Sequence, residues 1–442
     1  MNLLKKSLVG ILTLESLLII RKYKPFVVAI TGSVGKTSTK DAIYELLSRE
    51  GDSAAPRPFR FVRKSEKSLN SEIGLPLALI GRPNAWRSPS GWAKNIWAGL
   101  KLVFSEADYP DCLVLEIGAD HPGDIGRVVR WLRPDVAVIT KISDMPVHVE
   151  FFASPEAVFE EKAALAGAVK KGGALVVYAD DEKAASLAER VKDRDVSVIS
   201  YGLDEKAAAK GSDMSVIYEG QPVGISFNLG LDDTAAPISV RGVLGRSCVY
   251  PLLAAAAVGK ACGIASGKIA RSLVLTAYEA PKGRMNVLPG LNGSTLIDDS
   301  YNSSPDAAMA ALETLKGLEC QGAKIAILGD MMELGKYSAE EHRKIGREAA
   351  RAISRLITVG QRSRLTAEEA MKSGLQAESV RSFDSSAEAA AYAASIAKVG
   401  DVILVKGSQS VRMERVSKAL LREPHKAAKL LVRQEKEWLE KA

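Results

Sequence analysis

The chain alternates short apolar runs with longer stretches in which apolar positions recur every three or four residues. The first run, Val27 to Ile30, stops at Thr31-Gly-Ser-Val-Gly, and helical spacing takes over from Asp41 to Leu47. Further buried-looking strands are expected over 112–117, 136–142 and 174–178, with helices over 124–132 and 155–169 between them. Strands alternating with helices build a parallel sheet covered on both faces. Between Met214 and Val243 the period shortens to two, as in Val223-Gly-Ile-Ser-Phe-Asn, which predicts a small antiparallel patch attached to the main sheet. A long alanine-rich helix follows over 249–262, and a second α/β unit begins near Pro281-Lys-Gly-Arg, with strands at 295–298, 324–328, 355–359 and 401–405.

The expected fold class is therefore α/β. A central parallel-sheet phosphate-loop ATPase domain over 25–278 carries the antiparallel patch, and a Rossmann-like α/β domain over 279–423 follows it. Residues 1–24 read as an N-terminal helical segment and 424–442 as a helical tail, both outside the two bodies.

Composition narrows the partners. A hydrophobic share of 47% and a charged share of 26% fit a globular protein with real cores. The net charge of +7 points first to nucleic acid, but its location argues otherwise. Lys5, Lys6, Arg21, Lys22 and Lys24 against Glu15 give +4 before the first strand, and the stretch from Lys418 onward gives +3. The body between them is neutral, so no nucleic-acid groove is expected. The four cysteines lie far apart with no Cys-x-x-Cys pair, which reads as reduced thiols in a cytoplasmic protein.

Leu8 to Ile20 imitates a signal peptide, yet no small-residue cleavage site follows it. Glu15 interrupts it and it is too short to span a bilayer. Two readings stay open: a helix packed on the first domain, or an interfacial helix with basic flanks in weak contact with a membrane surface.

Candidate chemistry begins at Gly32-Ser33-Val34-Gly35-Lys36-Thr37-Ser38. The glycines let backbone N–H groups turn toward an anion at a helix start, Lys36 can reach the outer phosphates, and the Thr37 hydroxyl can ligate magnesium. Only two residues separate Gly32 from Gly35, fewer than the usual four. A nucleoside triphosphate is the expected ligand. Glu116 ends a strand, where ligands of open parallel sheets sit, so it can meet the magnesium; a solvated strand-end carboxylate is the alternative. His148 follows the next strand. Lys162 lies among acids on an apolar-faced helix, a pattern that usually marks a solvated face.

Together these motifs resemble the Mur ligases, ATP-dependent amide-forming enzymes of peptidoglycan assembly. The resemblance runs from Pro25 to Leu421 and rests on the phosphate loop, Leu69-Asn-Ser-Glu-Ile-Gly-Leu-Pro, Glu116-Ile-Gly-Ala and Pro122-Gly-Asp-Ile. His148 and Lys162, fourteen residues apart, match the family spacing. Gly283-Arg, Ile297-Asp-Asp-Ser-Tyr-Asn-Ser-Ser-Pro, Ile327-Leu-Gly-Asp-Met-Met-Glu-Leu-Gly and Leu404-Val-Lys-Gly-Ser are similar to the branch that adds D-alanyl-D-alanine.

The resemblance implies ATP and magnesium as cofactors, and a UDP-muramoyl-peptide acceptor with D-alanyl-D-alanine as the amine. It implies that Lys36 and Thr37 hold the phosphates and one magnesium, with Glu116 as ligand and Asn70 lining the site. His148 and Lys162 would serve a second metal, Lys162 as a carbamate, while Arg284 and Asp299 grip the nucleotide, Asp299 at the ribose.

Ser247 and Cys248 stand where the family usually has His-Asn, Pro251 replaces an asparagine associated with adenine, and two extra residues precede His148. Relatives also carry a further N-terminal domain for the UDP-sugar, whereas 24 residues precede Pro25 here. The expectation is weak sugar-nucleotide affinity, in a monomer or with a partner replacing that domain. A ligase for a polyamide or folate-like carboxylate, and a non-catalytic nucleotide-binding partner of cell-wall enzymes, remain the alternatives.

Overall fold

The computed structural model describes residues 3–48, 58–66, 69, 71–86, 88–275, 278 and 280–440. Nine strands form the first sheet: β1 (Phe26–Thr31), β2 (Val62–Lys64), β3 (Cys112–Glu116), β4 (Val136–Ile139), β5 (Gly173–Tyr178), β6 (Val196–Gly202), β7 (Ala209–Glu219), β8 (Gln221–Leu231) and β9 (Thr234–Arg241). Their order is β2-β3-β1-β4-β5-β6-β7-β8-β9, parallel as far as β7 and antiparallel beyond it. The antiparallel part is larger than the sequence suggests: strands of 11, 11 and 8 residues extend the same sheet rather than decorating it.

The helices of this body are α1 (Leu3–Tyr23), α2 (Lys36–Ser48), α3 (Gly74–Ile80), α4 (Pro89–Phe104), α5 (Asp124–Val129) and α6 (Pro155–Gly167), then the alanine-rich helix Tyr250–Ala261. Every residue of β3 and β4 is buried, as a sheet covered on both faces requires. The alanine-rich helix is buried from Pro251 to Gly259 and packs against α2 and the middle strands, since small side chains allow close approach. The α1 helix packs on α3 and α4, the first of the two readings of that segment.

The second sheet contains β10 (Asn286–Pro289), β11 (Thr295–Asp299), β12 (Lys324–Gly329), β13 (Arg355–Val359), β14 (Val380–Phe383) and β15 (Val402–Lys406), in the order β10-β11-β15-β12-β13-β14. All pairs are parallel except β10 with β11. The chain from 424 onward is no loose appendage. Ala427, Leu431 and Val432 are buried, and Arg433 donates to the Ser300 carbonyl at 3.1 Å and to Glu414 at 3.0 Å. A buried carboxylate gripped by guanidinium groups holds the tail to the second sheet.

Candidate active site

β1 has β3 on one side and β4 on the other, so the direction of winding reverses at its C-terminal end. A ligand crevice opens at such a point, and the phosphate loop leaves β1 there. Gly32 has φ +147°, and a Cβ on it would lie 2.0 Å from Thr140 Oγ1, so the close approach of the two strand ends requires glycine. Residues 140–142 do not continue β4 as the sequence suggests. The Lys141 carbonyl turns out of the sheet to accept from Ser33 N at 2.7 Å and Val34 N at 3.4 Å. These two amides are therefore committed to the protein, in contrast to the expectation that they face an anion. Thr39 N donates to the Gly35 carbonyl at 2.9 Å, closing the first turn of α2. The amides of Lys36, Thr37 and Ser38 precede that bond and are the orphan donors of the helix start.

Lys36 folds back over the loop, its Nζ donating to the Gly32 carbonyl at 2.9 Å. Burial pushes its pKa down. Thr37 Oγ1 donates to Glu116 Oε2 at 2.9 Å, which brings two hard oxygen donors together at the end of the loop. Lys40 Nζ holds the Ser65 carbonyl at 2.8 Å, and Ser65 Oγ accepts from Glu116 N at 3.1 Å, so the strand end carrying Glu116 is braced.

His148 has φ 69°, a left-handed turn that presents its ring to two carboxylates. Its Nε2 lies 3.4 Å from Asp120 Oδ1, and its Nδ1 lies 2.7 Å from Glu333 Oε2 of the second body. The imidazole beside Glu333 holds that carboxyl below its ordinary value.

Lys162 overturns the surface reading of its pattern. Ser154 caps α6, accepting from Ala157 N at 3.3 Å, and the phase this sets sends the three consecutive charges in different directions. Glu160 is paired with Arg190 at the surface, and Glu161 accepts from Gly123 N, Ile125 N and Gly126 N at the start of α5. Lys162 is buried, with 4% of its surface exposed. Burial, then the like charge of Lys36, pushes its pKa down to about 7.

A cavity of about 770 Å³ runs from Ser33–Gly35 past Gly245–Cys248 to Asp299, Ser303 and Lys406. Met285 N donates to Asp299 Oδ1 at 3.2 Å and Lys406 Nζ to its Oδ2 at 2.6 Å, with both side chains buried. The Arg284 guanidinium stacks 4.3 Å from the Tyr301 ring. Ser247, Cys248 and Pro251 line the cavity, as do Tyr178, Tyr201 and Tyr250, whose aromatic wall the sequence reading missed. Cys248 Sγ donates to the Leu244 carbonyl at 3.3 Å.

The structure thus pairs Thr37 with Glu116, brings Lys36 within electrostatic range of Glu116 and Lys162, sets His148 beside Asp120, and places Arg284 and Asp299 in the cavity lining. Asn70 lies outside the described residues. Asp120 and Glu333 escaped the sequence reading, although Glu333 stands in a quoted motif and Asp120 lies between two of them, each just beyond a strand end. Among the described residues no three His, Cys, Asp or Glu side chains cluster as a ready metal site. A paired hydroxyl and carboxylate still fit magnesium, which takes much of its shell from phosphate and water.

The Mur ligase middle-domain model matches residues 30–86 and 93–259, and the Mur ligase glutamate ligase domain model matches 283–409. The chain belongs to the Mur ligase family. Members of this family are ATP-dependent ligases, and so is this protein. A UDP-N-acetylmuramoyl-tripeptide–D-alanyl-D-alanine ligase of Mycobacterium tuberculosis is 31% identical over 414 residues, covering 89% of this Mur ligase and 72% of the relative. The enzyme of the same name from Bacillus subtilis is 28% identical, covering 90% and 76%. The structure of MurF ligase from Thermotoga maritima in complex with ADP superposes with a TM-score of 0.73 at 25% identity, covering 93% of this chain and 83% of that one.

Proposed function

We propose that this Mur ligase joins D-alanyl-D-alanine to the free carboxylate of a UDP-N-acetylmuramoyl-tripeptide. The γ-phosphoryl group of ATP passes to that carboxylate, releasing ADP and leaving an acyl phosphate. The dipeptide amine attacks the acyl carbon, loses a proton, and expels phosphate from the tetrahedral adduct, leaving an amide. The reading is supported by the names of the relatives and by the cavity between the two sheets, where the base would lie against the tyrosine wall and Asp299 would meet the ribose.

The observation that carries the catalytic assignment is Lys162, buried beside Lys36 with a pKa of about 7. At neutral pH a large share of its amine is unprotonated, the form that adds to carbon dioxide. The resulting carbamate would exchange a repelling cation for an oxygen donor next to Lys36. Thr37 and Glu116 would hold one magnesium, with His148 and carbamoylated Lys162 serving a second; bound there, the ions would neutralise phosphate charge. Lys36 would swing from the Gly32 carbonyl to the β- and γ-phosphates. His148 contacts Glu333 of the second body, so the side of the first body that would hold metal would face the second, and separation of the two bodies near residue 279 would admit substrates.

The four cysteines are free, in keeping with a cytoplasmic ligase. The test is phosphate release and product mass with ATP, UDP-muramoyl-tripeptide and D-alanyl-D-alanine. Dipeptide-dependent release with a matching product mass is expected. Incorporation of glutamate or another amino acid in place of the dipeptide would overturn the substrate assignment.

A further inference from the structure

The α1 and α4 helices lie side by side and run the same way. The Glu15 carboxylate abuts Gly99, where a Cβ would come within 2.1 Å of Oε2. One helix end further on, Lys22 Nζ donates to the carbonyls of Leu102 and Ser105 at 3.0 and 2.7 Å, and Tyr23 OH to that of Leu102 at 3.0 Å. Leu12, Ser16 and Ile19 face inward from α1, and Asn95 and Gly99 from α4. Helical phase then turns Ile11, Leu14 and Leu18 outward on one helix and Trp97, Leu100 and Phe104 outward on the other. For helices side by side in one direction, those two rows fall on the same side of the pair.

The rows are conspicuous against the rest of the surface. Trp97 is 71% exposed and Phe104 81%, and Trp86, in the turn before α4, is 70% exposed. Among the described residues, fourteen large hydrophobic side chains are exposed, and half of them belong to α1, α4 or that turn. Concentration of this kind marks an interaction surface, where scattered exposure would not.

Charge selects the occupant. The two helices carry six basic residues, Lys5, Lys6, Arg21, Lys22, Lys94 and Lys101, and one acid, Glu15, which is buried. Lys5 is paired with Glu72 at 3.1 Å and Lys22 holds the carbonyls at the end of α4, which leaves Lys6, Arg21, Lys94 and Lys101 as the cations at the ends and edges of the apolar rows, and neither helix carries an exposed carboxylate. A second copy of the chain would set these cations against one another. An anionic lipid surface would meet them with phosphate while the aromatic and leucine side chains enter the headgroup boundary. No helix among the described residues is long and apolar enough to cross a membrane, so the contact is with one leaflet. No residue of α1 or α4 lines the nucleotide cavity, which docking would leave open.

We propose that the α1–α4 face docks this Mur ligase on anionic phospholipid bilayers. The proposal does not depend on which acceptor the active site uses. The experiment is flotation of the full chain with vesicles of phosphatidylcholine alone and of equal parts phosphatidylcholine and phosphatidylglycerol. Binding to the anionic vesicles, weakened by high salt, with a blue shift of tryptophan emission, is expected. The double variant Trp97→Asp, Phe104→Asp should bind those vesicles at least about tenfold more weakly, since two buried aromatic contacts are lost. Its melting temperature and ATP turnover should stay at the wild-type values, because both side chains are exposed and neither lines the nucleotide cavity. Undiminished flotation of the double variant, equal binding to neutral vesicles, or a wild-type dimer that the double variant dissolves would each overturn the proposal.

Discussion

Both bodies bury charged side chains, but Asp299 and Glu414 of the second and Lys36 and Lys162 of the first are accommodated in opposite ways. In the second body Asp299 and Lys406 are buried together at 2.6 Å, and Glu414 is gripped by Arg412 and Arg433. In the first body Lys36 leans on a loop carbonyl, and Lys162 has no ion-pair partner among the described residues. Burial lowers the pKa of both lysines, a sign that their cationic forms are poorly accommodated. Under the proposed function the difference has a reason: ligand phosphate would bring charge to Lys36 and Lys162, whereas Asp299 already has its partner in Lys406.

That contrast is open to attack from either side. Lys36→Ala should lower phosphoryl transfer by at least about a thousandfold, the scale of removing a transition-state charge partner, with no loss of melting temperature. A phosphate-release assay beside a thermal melt checks both halves; turnover at the wild-type rate would sink the loop assignment. The matching change in the second body, Lys406→Met, should instead unfold the protein more easily, by about 3–5 kcal/mol, because Asp299 is left as an unpaired buried charge. Urea titration measures this, and a stability like that of the parent would erase the distinction between the two bodies.

Lys162→Met sharpens the comparison through pH. The folded pKa of about 7 lies below the ordinary value of 10.5, so between these values the unfolded chain holds a proton that the folded chain has released. Stability contributed by this group therefore rises with pH across that window and is lowest below pH 7. The methionine variant should flatten this slope in melts recorded in carbon-dioxide-free buffer. Its ligase activity should fall at least about a hundredfold, whereas Lys162→Ala should regain part of its rate when short carboxylic acids are added.

Glu15 supplies the smallest effect and an internal control. It is buried with neither carboxylate oxygen hydrogen-bonded among the described residues, and burial raises its pKa from 4.5 to about 7. Between those values the folded chain keeps a proton that the unfolded chain has lost, so stability falls as pH rises toward 7. Glu15→Gln should gain about 1–2 kcal/mol at pH 8 and nothing below pH 4. A pH-independent difference between the two proteins would show that Glu15 is not a buried charge.

Sequence pattern was enough for the alternation of strands and helices, for the loop from Gly32 to Ser38, and for the strand that delivers Glu116, because each rests on a local period or a short spacing. It was also enough to mark His148 and Lys162 through family spacing. It failed on short or edge strands such as β2, β10 and β14, whose three or four residues carry too little periodicity, and it ran β4 three residues past its end at Ile139. Nothing local distinguishes Ile142 in a strand from Ile142 in a loop whose neighbour caps another turn.

What only the tertiary structure decided is the environment of charge. Glu160, Glu161 and Lys162 are consecutive, yet one lies at the surface, one caps a neighbouring helix and one is buried beside a second lysine. The same holds for Glu333, far along the chain yet 2.7 Å from His148, and for the exposed rows of α1 and α4. Residue type and period set which side chains share a helix face. Whether that face meets solvent, an apolar layer or another charge depends on contacts distant in sequence, and with it depend solvation, pKa and chemistry.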